Sequence, residues 1–314
     1  MDAKIVKGML LGLATGDALG VPVEFESRRS LKHEPVVNMR GGGSWNQEAG
    51  TWSDDTSLTV AAMESISRLG KIDYADVMEN FFKWYAKDAF TATGYRFDIG
   101  NTTRSAIVRY SRKLLRPLEC GATDINSNGN GSLMRILPAT FYLYAKGGGK
   151  FDAAALETIH EFSALTHGHI ISKIACGIYS LIAAQILNGK NISAAFEDGM
   201  AEAQNFYGND DAFKNFSRLC DKNFAALPED EISASGYVAD TLEAALWCLL
   251  NTADYKSLAL KAVNLGEDTD TVGAVAGGLA GIFYGAESIP AEWLQILKRR
   301  TYLEQIAQNF AAAL

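Results

Sequence analysis

The stretch GEDTDTVGAVAGGLAG, Gly266 to Gly281, joins an acidic start to a run of glycine and alanine. Each glycine inside a helix costs about 1 kcal/mol relative to alanine. Several of them in one helix make sense where neighbouring backbones approach very closely. The stretch therefore predicts a helix in the middle of the protein, with the carboxylates of Asp268 and Asp270 at its buried start.

Helical periodicity extends outward from this stretch over nearly the whole chain. Apolar residues recur every three to four positions in about a dozen segments, and strand-like alternation is almost absent. No linker composition and no internal repeat divides the chain. The pattern predicts an all-α protein with a single compact orthogonal multi-helix domain over residues 1–314. Trp293 to Phe310 is predicted as one helix, and the aperiodic segment Gly20 to Thr51 as a substrate lid or a plain surface excursion.

The composition argues against several classes of protein. With 48% hydrophobic and 21% charged residues, the 314-residue chain has the make-up of an average soluble domain. A net charge of −8 without a dense Lys/Arg run gives no electrostatic footprint for nucleic acid. No charge-free apolar window reaches membrane-spanning length. The four cysteines are widely scattered, which suits a reducing compartment. We therefore expect a cytoplasmic monomer that binds neither nucleic acid nor membrane.

Two acidic clusters each lie immediately before an apolar helix: Ser53-Asp54-Asp55-Thr56 and Asp268-Thr269-Asp270-Thr271. Helix capping accounts for one Asp or Ser in each cluster, but both hold more side-chain oxygen than capping requires. Carboxylates at a buried helix start repel one another unless cations neutralise them, and an all-oxygen ligand set selects Mg²⁺, Mn²⁺ or Ca²⁺. The clusters predict a magnesium-type site with two ions, and capping is the alternative.

Two further segments carry polar chemistry. Glu24 follows the end of the first helix at Gly20 and Pro22, on an irregular segment that is free to turn into a cleft; a solvated surface charge is the alternative. Asn126 to Arg135 is a Gly/Asn/Ser loop that enters a helix, an arrangement that presents backbone N–H groups to an anion. Its glycines and asparagines tolerate positive φ, so the backbone can turn these groups toward a diphosphate. A plain turn is the alternative.

Five pieces of the chain, in order, resemble the ADP-ribosylglycohydrolase family, which includes the dinitrogenase-reductase-activating glycohydrolases and the ADP-ribosylarginine and ADP-ribosylserine hydrolases. They are Gly16 to Gly20 with Pro22 and Glu24, Ser53 to Thr56, Asn128 to Arg135, Thr166-His167, and Gly266 to Gly273 with its Gly/Ala helix. The resemblance implies an all-α fold with two Mg²⁺ or Mn²⁺ ions at the mouth of a cleft. The implied metal ligands are Ser53, Asp54, Asp55, Asp268, Asp270 and Thr271. The chain departs from the family pattern at Ser53, where Thr is most frequent, and at Glu267, where Gly is common.

The resemblance also implies where a substrate lies. The diphosphate of ADP-ribose would contact the Gly/Asn/Ser loop, with His167 nearby, and the segment Asp98-Ile99-Gly100 would face the scissile ribose. The implied substrate-binding residues are Asp98, Gly100, Ser127, Gly129, Asn130, Gly131, Ser132 and His167. A helix cap before Asn101 is the alternative explanation of Asp98.

The implied reaction is metal-dependent hydrolysis of the bond between the ribose anomeric carbon and an acceptor on an ADP-ribosylated protein or small molecule, which releases ADP-ribose. The implied catalytic residues are Glu24, Asp55 and Asp268. Asp55 would take a proton from water, and Glu24 would act as a second acid/base or as a gate. Arginine and serine acceptors both stay open. The alternatives are a family member that binds ADP-ribose without turnover and a metal-dependent phosphoesterase that acts on a nucleotide diphosphate.

Overall fold

Fourteen α-helices, joined by loops and short 3₁₀ turns, build the chain, and no β-sheet is present. The computed structural model describes residues 1–314. The all-α fold class predicted from the periodicity is confirmed. In chain order the helices are α1 (Ala3–Gly20), α2 (Arg28–His33), α3 (Asp54–Leu69), α4 (Tyr74–Lys87), α5 (Asn101–Ser111), α6 (Leu137–Lys146), α7 (Ala153–Ala164), α8 (Ile170–Leu187), α9 (Ile192–Tyr207), α10 (Val238–Leu250), α11 (Tyr255–Val263), α12 (Thr269–Tyr284), α13 (Ala291–Ile296) and α14 (Arg300–Ala313).

Helices α1 and α12 form an antiparallel pair at the centre of the fold, and they meet through glycine. A Cβ added to Gly12 would lie 2.3 Å from the carbonyl oxygen of Gly277. A Cβ added to Gly20 would lie 2.3 Å from the Cα of Asp270. Since no side chain fits at such distances, the two backbones touch directly, as the glycine-rich stretch predicts. The contact also brings the end of α1 beside the acidic start of α12.

Helices α1 and α8 are long and apolar enough to cross a membrane, judged by length and composition alone. Most of each helix is buried inside the fold. Helix α8, for example, packs against α7, α9, α10 and α12. A helix surrounded by other helices needs apolar residues all round, so the position of both helices in the core accounts for their hydropathy.

The chain from Trp293 to Phe310 was predicted as one helix, and this prediction is wrong because α13 and α14 are separate. Arg299, between them, has a φ of 52°, in the left-handed region. The backbone N–H of Lys298 donates to the carbonyl oxygen of Gly50 at 2.9 Å, and its carbonyl oxygen accepts from the indole of Trp52 at 2.9 Å. These long-range bonds use the backbone groups that a continuous helix would need.

The segment Gly20 to Thr51, which the sequence pattern left without periodicity, contains α2 and is tied to the start of α12. The backbone N–H of Phe25 donates to the carbonyl oxygen of Glu267 at 2.7 Å. The backbone N–H of Glu267 donates in return to the carbonyl oxygen of Glu26 at 2.7 Å. This pair of bonds holds Glu24 next to the second acidic cluster.

Candidate active site

The starts of α3 and α12 meet, and each carries one acidic cluster. Carboxylate oxygens of Asp17, Asp55 and Asp270 lie within 4.8 Å of one another. Carboxylate oxygens of Glu24, Asp268 and Asp270 form a second group within the same distance. Asp270 belongs to both groups. The two clusters seen in the sequence therefore combine into two adjacent groups of oxygens that share one residue.

Helix capping explains only part of these clusters. Ser53 is the N-cap of α3, and its hydroxyl oxygen accepts a hydrogen bond from the backbone N–H of Asp55 at 3.3 Å. Asp268 is the N-cap of α12, but its side chain accepts no capping bond. It accepts instead from the side-chain amide of Asn130 at 3.0 Å. The capping alternative therefore holds for Ser53 and fails for Asp268.

Asp17, on α1, is a site residue that the sequence reasoning did not single out. It is completely buried. Its carboxylate accepts from the backbone N–H of Ser53 at 2.9 and 3.0 Å, one bond to each oxygen. It also accepts from the backbone N–H of Thr56 at 3.1 Å and from the Thr56 hydroxyl at 2.6 Å. Because these bonds satisfy free N–H groups at the start of α3, Asp17 fixes that start against α1. The signal that could have identified it is a lone carboxylate in the apolar half of α1, after Met9.

The buried carboxylates fit a divalent-cation site. Burial, reinforced by neighbouring carboxylates, raises the pKa of Asp54, Asp55 and Asp270 well above the usual value. Oδ1 of Asp55 and Oδ2 of Asp270 are buried and have no hydrogen-bond partner. Leaving such atoms unpartnered is costly, and oxygens of this kind are the ligands that hard cations coordinate. The residues present therefore suit a cation such as Mg²⁺ or Mn²⁺.

Glu24 is buried and does not act as a solvated surface charge; its exposed fraction is 5%. Burial, and next the charge of Asp98, raises the pKa of Glu24 to about 9. Its Oε2 accepts a hydrogen bond from the indole N–H of Trp45, and its backbone carbonyl oxygen accepts from the hydroxyl of Ser44. Both donors belong to the 3₁₀ turn Gly43–Trp45. This turn therefore fixes the position of Glu24 through two bonds.

A cavity of about 350 Å³ opens beside these carboxylates. Its acidic lining residues, which we call the acidic wall, are Glu24, Asp54, Asp98 and Asp268. Five of its uncharged lining residues form a set that we call the neutral wall: Thr103, Gly129, Asn130, Gly131 and His167. Of the predicted metal ligands, Asp54, Asp268 and Thr271 line the cavity, whereas Ser53, Asp55 and Asp270 are buried and do not line it.

The loop Asn126 to Arg135 contributes to the neutral wall. None of its glycines and asparagines has a positive φ, so the loop does not use the left-handed conformations that these residues tolerate. The loop instead pairs with the chain before α10, where the backbone N–H of Asn130 donates to the carbonyl oxygen of Gly236 at 3.1 Å. The backbone N–H groups of Gly129 and Gly131 donate no hydrogen bond within the chain and are free for a ligand.

Two predicted substrate-binding residues of this loop lie outside the cavity. The hydroxyl of Ser127 donates to Asp124 at 2.7 Å on the exposed surface. Ser132 is completely buried, and its hydroxyl accepts from Ser163 at 2.9 Å. Both serines therefore stabilise the loop, while Gly129, Asn130 and Gly131 between them line the cavity.

Asp98 and Gly100 both line the cavity at the start of α5. The N-cap of α5 is Gly100, which makes no side-chain capping bond, so capping does not explain Asp98. Asp98 has a φ of 52°, and burial, followed by the charge of Asp268, raises its pKa to about 6. The side chain thus belongs to the acidic wall.

Asn130 links the two walls of the cavity. Its side-chain amide donates to Oδ2 of Asp268 at 3.0 Å and to the hydroxyl of Thr241 at 2.9 Å. His167 lies beside it, buried, with Nδ1 2.8 Å from the hydroxyl oxygen of Thr166. A ligand that contacts Asn130 therefore contacts a residue bonded to the acidic wall.

The helical fold and the two acidic helix starts define a class of protein: an all-α protein with a cleft whose clustered carboxylates could hold a cation. The family model of ADP-ribosylglycohydrolases matches residues 2–314. The chain belongs to the ADP-ribosylglycohydrolase family, which confirms the resemblance inferred from the five sequence pieces.

Named relatives agree with this assignment. The ADP-ribosylarginine hydrolase Tri1 of Pseudomonas putida (strain GB-1) is 35% identical over 306 residues, which cover 96% of this chain and 76% of that protein. The ADP-ribosyl-[dinitrogen reductase] glycohydrolase of Rhodospirillum rubrum is 31% identical over 302 residues, which cover 95% of this chain and 91% of that protein. A solved structure described as an ADP-ribosylglycohydrolase-related protein complex matches with a TM-score of 0.82 at 32% identity, over 99% of this chain and 98% of that chain. The predicted enzyme class, a hydrolase, is confirmed.

Proposed function

We propose that this protein hydrolyses the bond between the anomeric carbon of ADP-ribose and a guanidine nitrogen of an arginine side chain. The arginine acceptor is supported by two relatives named ADP-ribosylarginine hydrolase, 35% and 33% identical, each matched over 96% of this chain. The observation that carries the proposal is one cavity that is lined both by the acidic wall and by the neutral wall. The first suits cations and a ribose, and the second suits a diphosphate.

The proposed cofactors are two divalent cations, Mg²⁺ or Mn²⁺. The residues that would hold them are Ser53, Asp54, Asp55, Asp268, Asp270 and Thr271. When bound, such ions supply Lewis acidity and neutralise the carboxylates. The shared position of Asp270 in both groups of oxygens supports two adjacent ions. For Asp17 we propose a supporting role instead of a ligand role, because its carboxylate accepts hydrogen bonds from three donor groups of Ser53 and Thr56.

Glu24 and Asp268 are the proposed proton-transfer groups, since both line the cavity and Asp55 does not. Oε2 of Glu24 is occupied by Trp45, which leaves Oε1 to carry the proton that the leaving guanidine nitrogen takes up. One oxygen of Asp268 is held by Asn130, which orients the carboxylate to accept a proton from the attacking water. Water thereby supplies a hydroxyl to the anomeric carbon and a proton to the acceptor.

The neutral wall would bind the diphosphate of the substrate. The backbone N–H groups of Gly129 and Gly131, which donate no hydrogen bond within the chain, suit phosphate oxygens, and neither residue carries a side chain of its own. The ribose would then lie toward Asp98 and Asp268. This orientation separates the anionic part of the substrate from the acidic wall, where four carboxylates would repel it.

The decisive experiment compares two substrates and identifies the product. The metal-loaded enzyme is incubated separately with an arginine-ADP-ribosylated and a serine-ADP-ribosylated peptide, and the products are identified by liquid chromatography and mass spectrometry. We expect ADP-ribose with an intact diphosphate from the arginine-linked peptide, and much slower release from the serine-linked one. The reverse preference would contradict the arginine acceptor.

Two neighbouring substitutions provide the control. Asp268→Asn should abolish release, whereas Glu267→Gln should not, because Glu267 is exposed and lies outside the cavity. AMP as the product would establish a phosphoesterase instead. Binding of ADP-ribose in calorimetry without any product would establish a binding protein.

We also propose that the protein works as a monomer in a reducing compartment such as the cytoplasm. All four cysteines are free, and Cys120, Cys176 and Cys248 are buried. Thiols that persist unpaired are typical of a reducing environment. Recovery of the protein from a fractionated cell, followed by size-exclusion chromatography with light scattering, would test both statements.

A further inference from the structure

A buried cation lies behind the neutral wall. Arg135 has an exposed fraction of 0%, and none of its hydrogen bonds goes to a carboxylate. Its guanidinium carbon lies 4.8 Å from the ring centre of Phe81 and 5.5 Å from that of Phe162. Its Nε has no partner. Burial lowers the pKa of Arg135 only to about 10, so the group is charged at neutral pH. The fold thus retains a positive charge without a counter-ion at this wall.

One hydroxyl connects this cation to the histidine of the cavity. Nη2 of Arg135 donates to the hydroxyl oxygen of Thr166 at 2.7 Å, and the same oxygen lies 2.8 Å from Nδ1 of His167. A guanidinium donates hydrogen bonds and cannot accept them. The hydroxyl proton of Thr166 therefore has one acceptor within reach, which is Nδ1 of His167.

The direction of these bonds determines which nitrogen of His167 carries a proton. If Nδ1 accepts from Thr166, the neutral imidazole must carry its proton on Nε2. Burial, followed by the charge of Arg135, lowers the pKa of His167 to about 3, so the ring is neutral. Nε2 is the nitrogen at the neutral wall, since it would lie 3.6 Å from a Cβ at Gly129 and 3.5 Å from one at Gly131.

We infer that Arg135 and Thr166 are positioning residues that hold His167 as a neutral N–H donor, with Nε2–H directed at an anionic oxygen of the bound diphosphate. This inference rests on the proposed function for the identity of the ligand. In this arrangement the positive charge of Arg135 supports diphosphate binding through two uncharged groups, the hydroxyl of Thr166 and the imidazole of His167. The buried charge also favours one direction of binding, because it attracts the diphosphate toward His167.

The first test reads the tautomer directly and needs no turnover. Long-range proton–nitrogen NMR spectra of the wild-type protein distinguish a protonated from an unprotonated ring nitrogen, and the chain has four histidines. His167→Gln assigns the signals. We expect a protonated Nε2 and an unprotonated Nδ1 at neutral pH. A proton on Nδ1, or on both nitrogens, would overturn the inference even if the enzyme releases ADP-ribose.

The second test distinguishes a role of the Thr166 hydroxyl in binding from a role in folding. Calorimetry with the metal-loaded protein measures the affinity of ADP-ribose and of adenosine, which lacks the diphosphate. Thr166→Val should weaken ADP-ribose by about tenfold, equivalent to about 1.4 kcal/mol, and leave adenosine unchanged. Thr166→Ser keeps the hydroxyl and should retain both affinities and the Nε2–H tautomer.

The remaining outcomes distinguish a failure of the inference about His167 from a failure of the proposed function. Equal ADP-ribose affinity in wild type and Thr166→Val would overturn the inference. If Thr166→Val does not fold, the tautomers of the wild type and of Thr166→Ser still decide it. A wild-type protein that shows the Nε2–H tautomer and binds ADP-ribose through it, but releases no ADP-ribose from either peptide, would contradict the proposed function and support the inference.

Discussion

The carboxylate of Asp17 accepts a 2.6 Å hydrogen bond from the hydroxyl of Thr56, and this contact joins α1 to the start of α3. The same carboxylate accepts from the backbone N–H groups of Thr56 and Ser53. The proposed metal ligands Asp54 and Asp55 lie between these two residues in the chain. Their position therefore depends on a carboxylate from another helix that is itself not proposed to bind metal.

Asp17→Asn should lower both stability and turnover. An asparagine presents an NH₂ group in place of one acceptor oxygen, so in either orientation a buried donor faces the backbone N–H of Ser53 or Thr56 instead of accepting from it. We expect the free energy of unfolding to fall by about 2 kcal/mol, the cost of one buried unsatisfied group. Burial raises the pKa of Asp17 to about 7, so the comparison is made by urea denaturation at pH 8 with saturating Mn²⁺, where the carboxylate is ionised and bound cations offset the buried negative charge.

Asp152→Asn is the matched control. Asp152 caps the exposed start of α7 through a 2.8 Å bond from the backbone N–H of Ala155. Asparagine caps helices about as well as aspartate does. This variant should keep its stability and its turnover. An equal loss in both variants would show that Asp17 acts as an ordinary cap.

Gly277→Ala should prevent the close approach of α1 and α12. The added Cβ would lie 2.4 Å from the carbonyl oxygen of Gly12, an atom of the backbone that cannot move without moving α1. Although alanine favours a helix by about 1 kcal/mol over glycine, we expect overpacking to destabilise the protein by about 1–3 kcal/mol or more. Thermal and urea denaturation measure the change.

Gly278→Ala, one position along the same helix, tests whether the backbone contact is the cause. Its Cβ would lie 2.7 Å from Cδ1 of Leu137, the far end of a flexible side chain that can rotate away. We expect a smaller loss than for Gly277→Ala. Equal losses would mean that any added atom in α12 is harmful and that the contact with α1 has no special role.

The sequence contained more information about the fold than its glycine-rich stretch alone. Glycine recurs at every fourth position of α1, at Gly8, Gly12, Gly16 and Gly20, and the matching positions of α12 are Gly281, Gly277, Gly273 and Asp270. A stripe at this spacing marks a face that another backbone can touch. The partner of α12 was therefore visible in principle, but only the folded chain shows which two stripes meet.

The site was predictable where chemistry is local and less so where it depends on distant residues. The acidic clusters follow from residue type and from their place before apolar helices. The conformation of the loop Asn126 to Arg135 does not, because its pairing with Gly236 involves a residue about a hundred positions away. The same holds for the break at Arg299, which depends on the bonds of Lys298 to a segment near the other end of the chain.

Without metal, stability should decrease as the pH rises. Burial raises the pKa of Asp17 to about 7, of Glu24 to about 9 and of Asp98 to about 6, so the folded protein keeps protons that the unfolded chain releases above about pH 4. Stability associated with these protons is complete at low pH and is lost as the pH rises through the folded values. A change of one in a pKa is worth about 1.4 kcal/mol.

Divalent cations should reverse this dependence. Mn²⁺ binds the deprotonated carboxylates, so it should raise the melting temperature strongly at pH 8 and little at pH 5, where protons compete. Differential scanning fluorimetry with EDTA and with Mn²⁺ at both pH values measures the effect. A metal-free melting temperature that does not change with pH, or an equal Mn²⁺ effect at both values, would contradict the assignment of the acidic cluster as a cation site.

Gly131→Ala should weaken ADP-ribose through the shape of the neutral wall. The added Cβ would lie 2.9 Å from the hydroxyl oxygen of Thr103 and 3.0 Å from Cε1 of His167, so either the loop or the imidazole must shift. We expect at least a tenfold loss of ADP-ribose affinity, about 1.4 kcal/mol, measured by calorimetry. Gly129→Ala is the matched variant, because its Cβ would lie 3.6 Å from Nε2 of His167, an ordinary contact that displaces neither the loop nor the imidazole, so it should weaken ADP-ribose less than Gly131→Ala does. Mn²⁺ affinity should stay the same in both variants, since the proposed ligands lie on other segments. Equal ADP-ribose affinity in wild type and Gly131→Ala would mean that the diphosphate lies elsewhere. A displaced His167 would change the affinity of any ligand that contacts this wall.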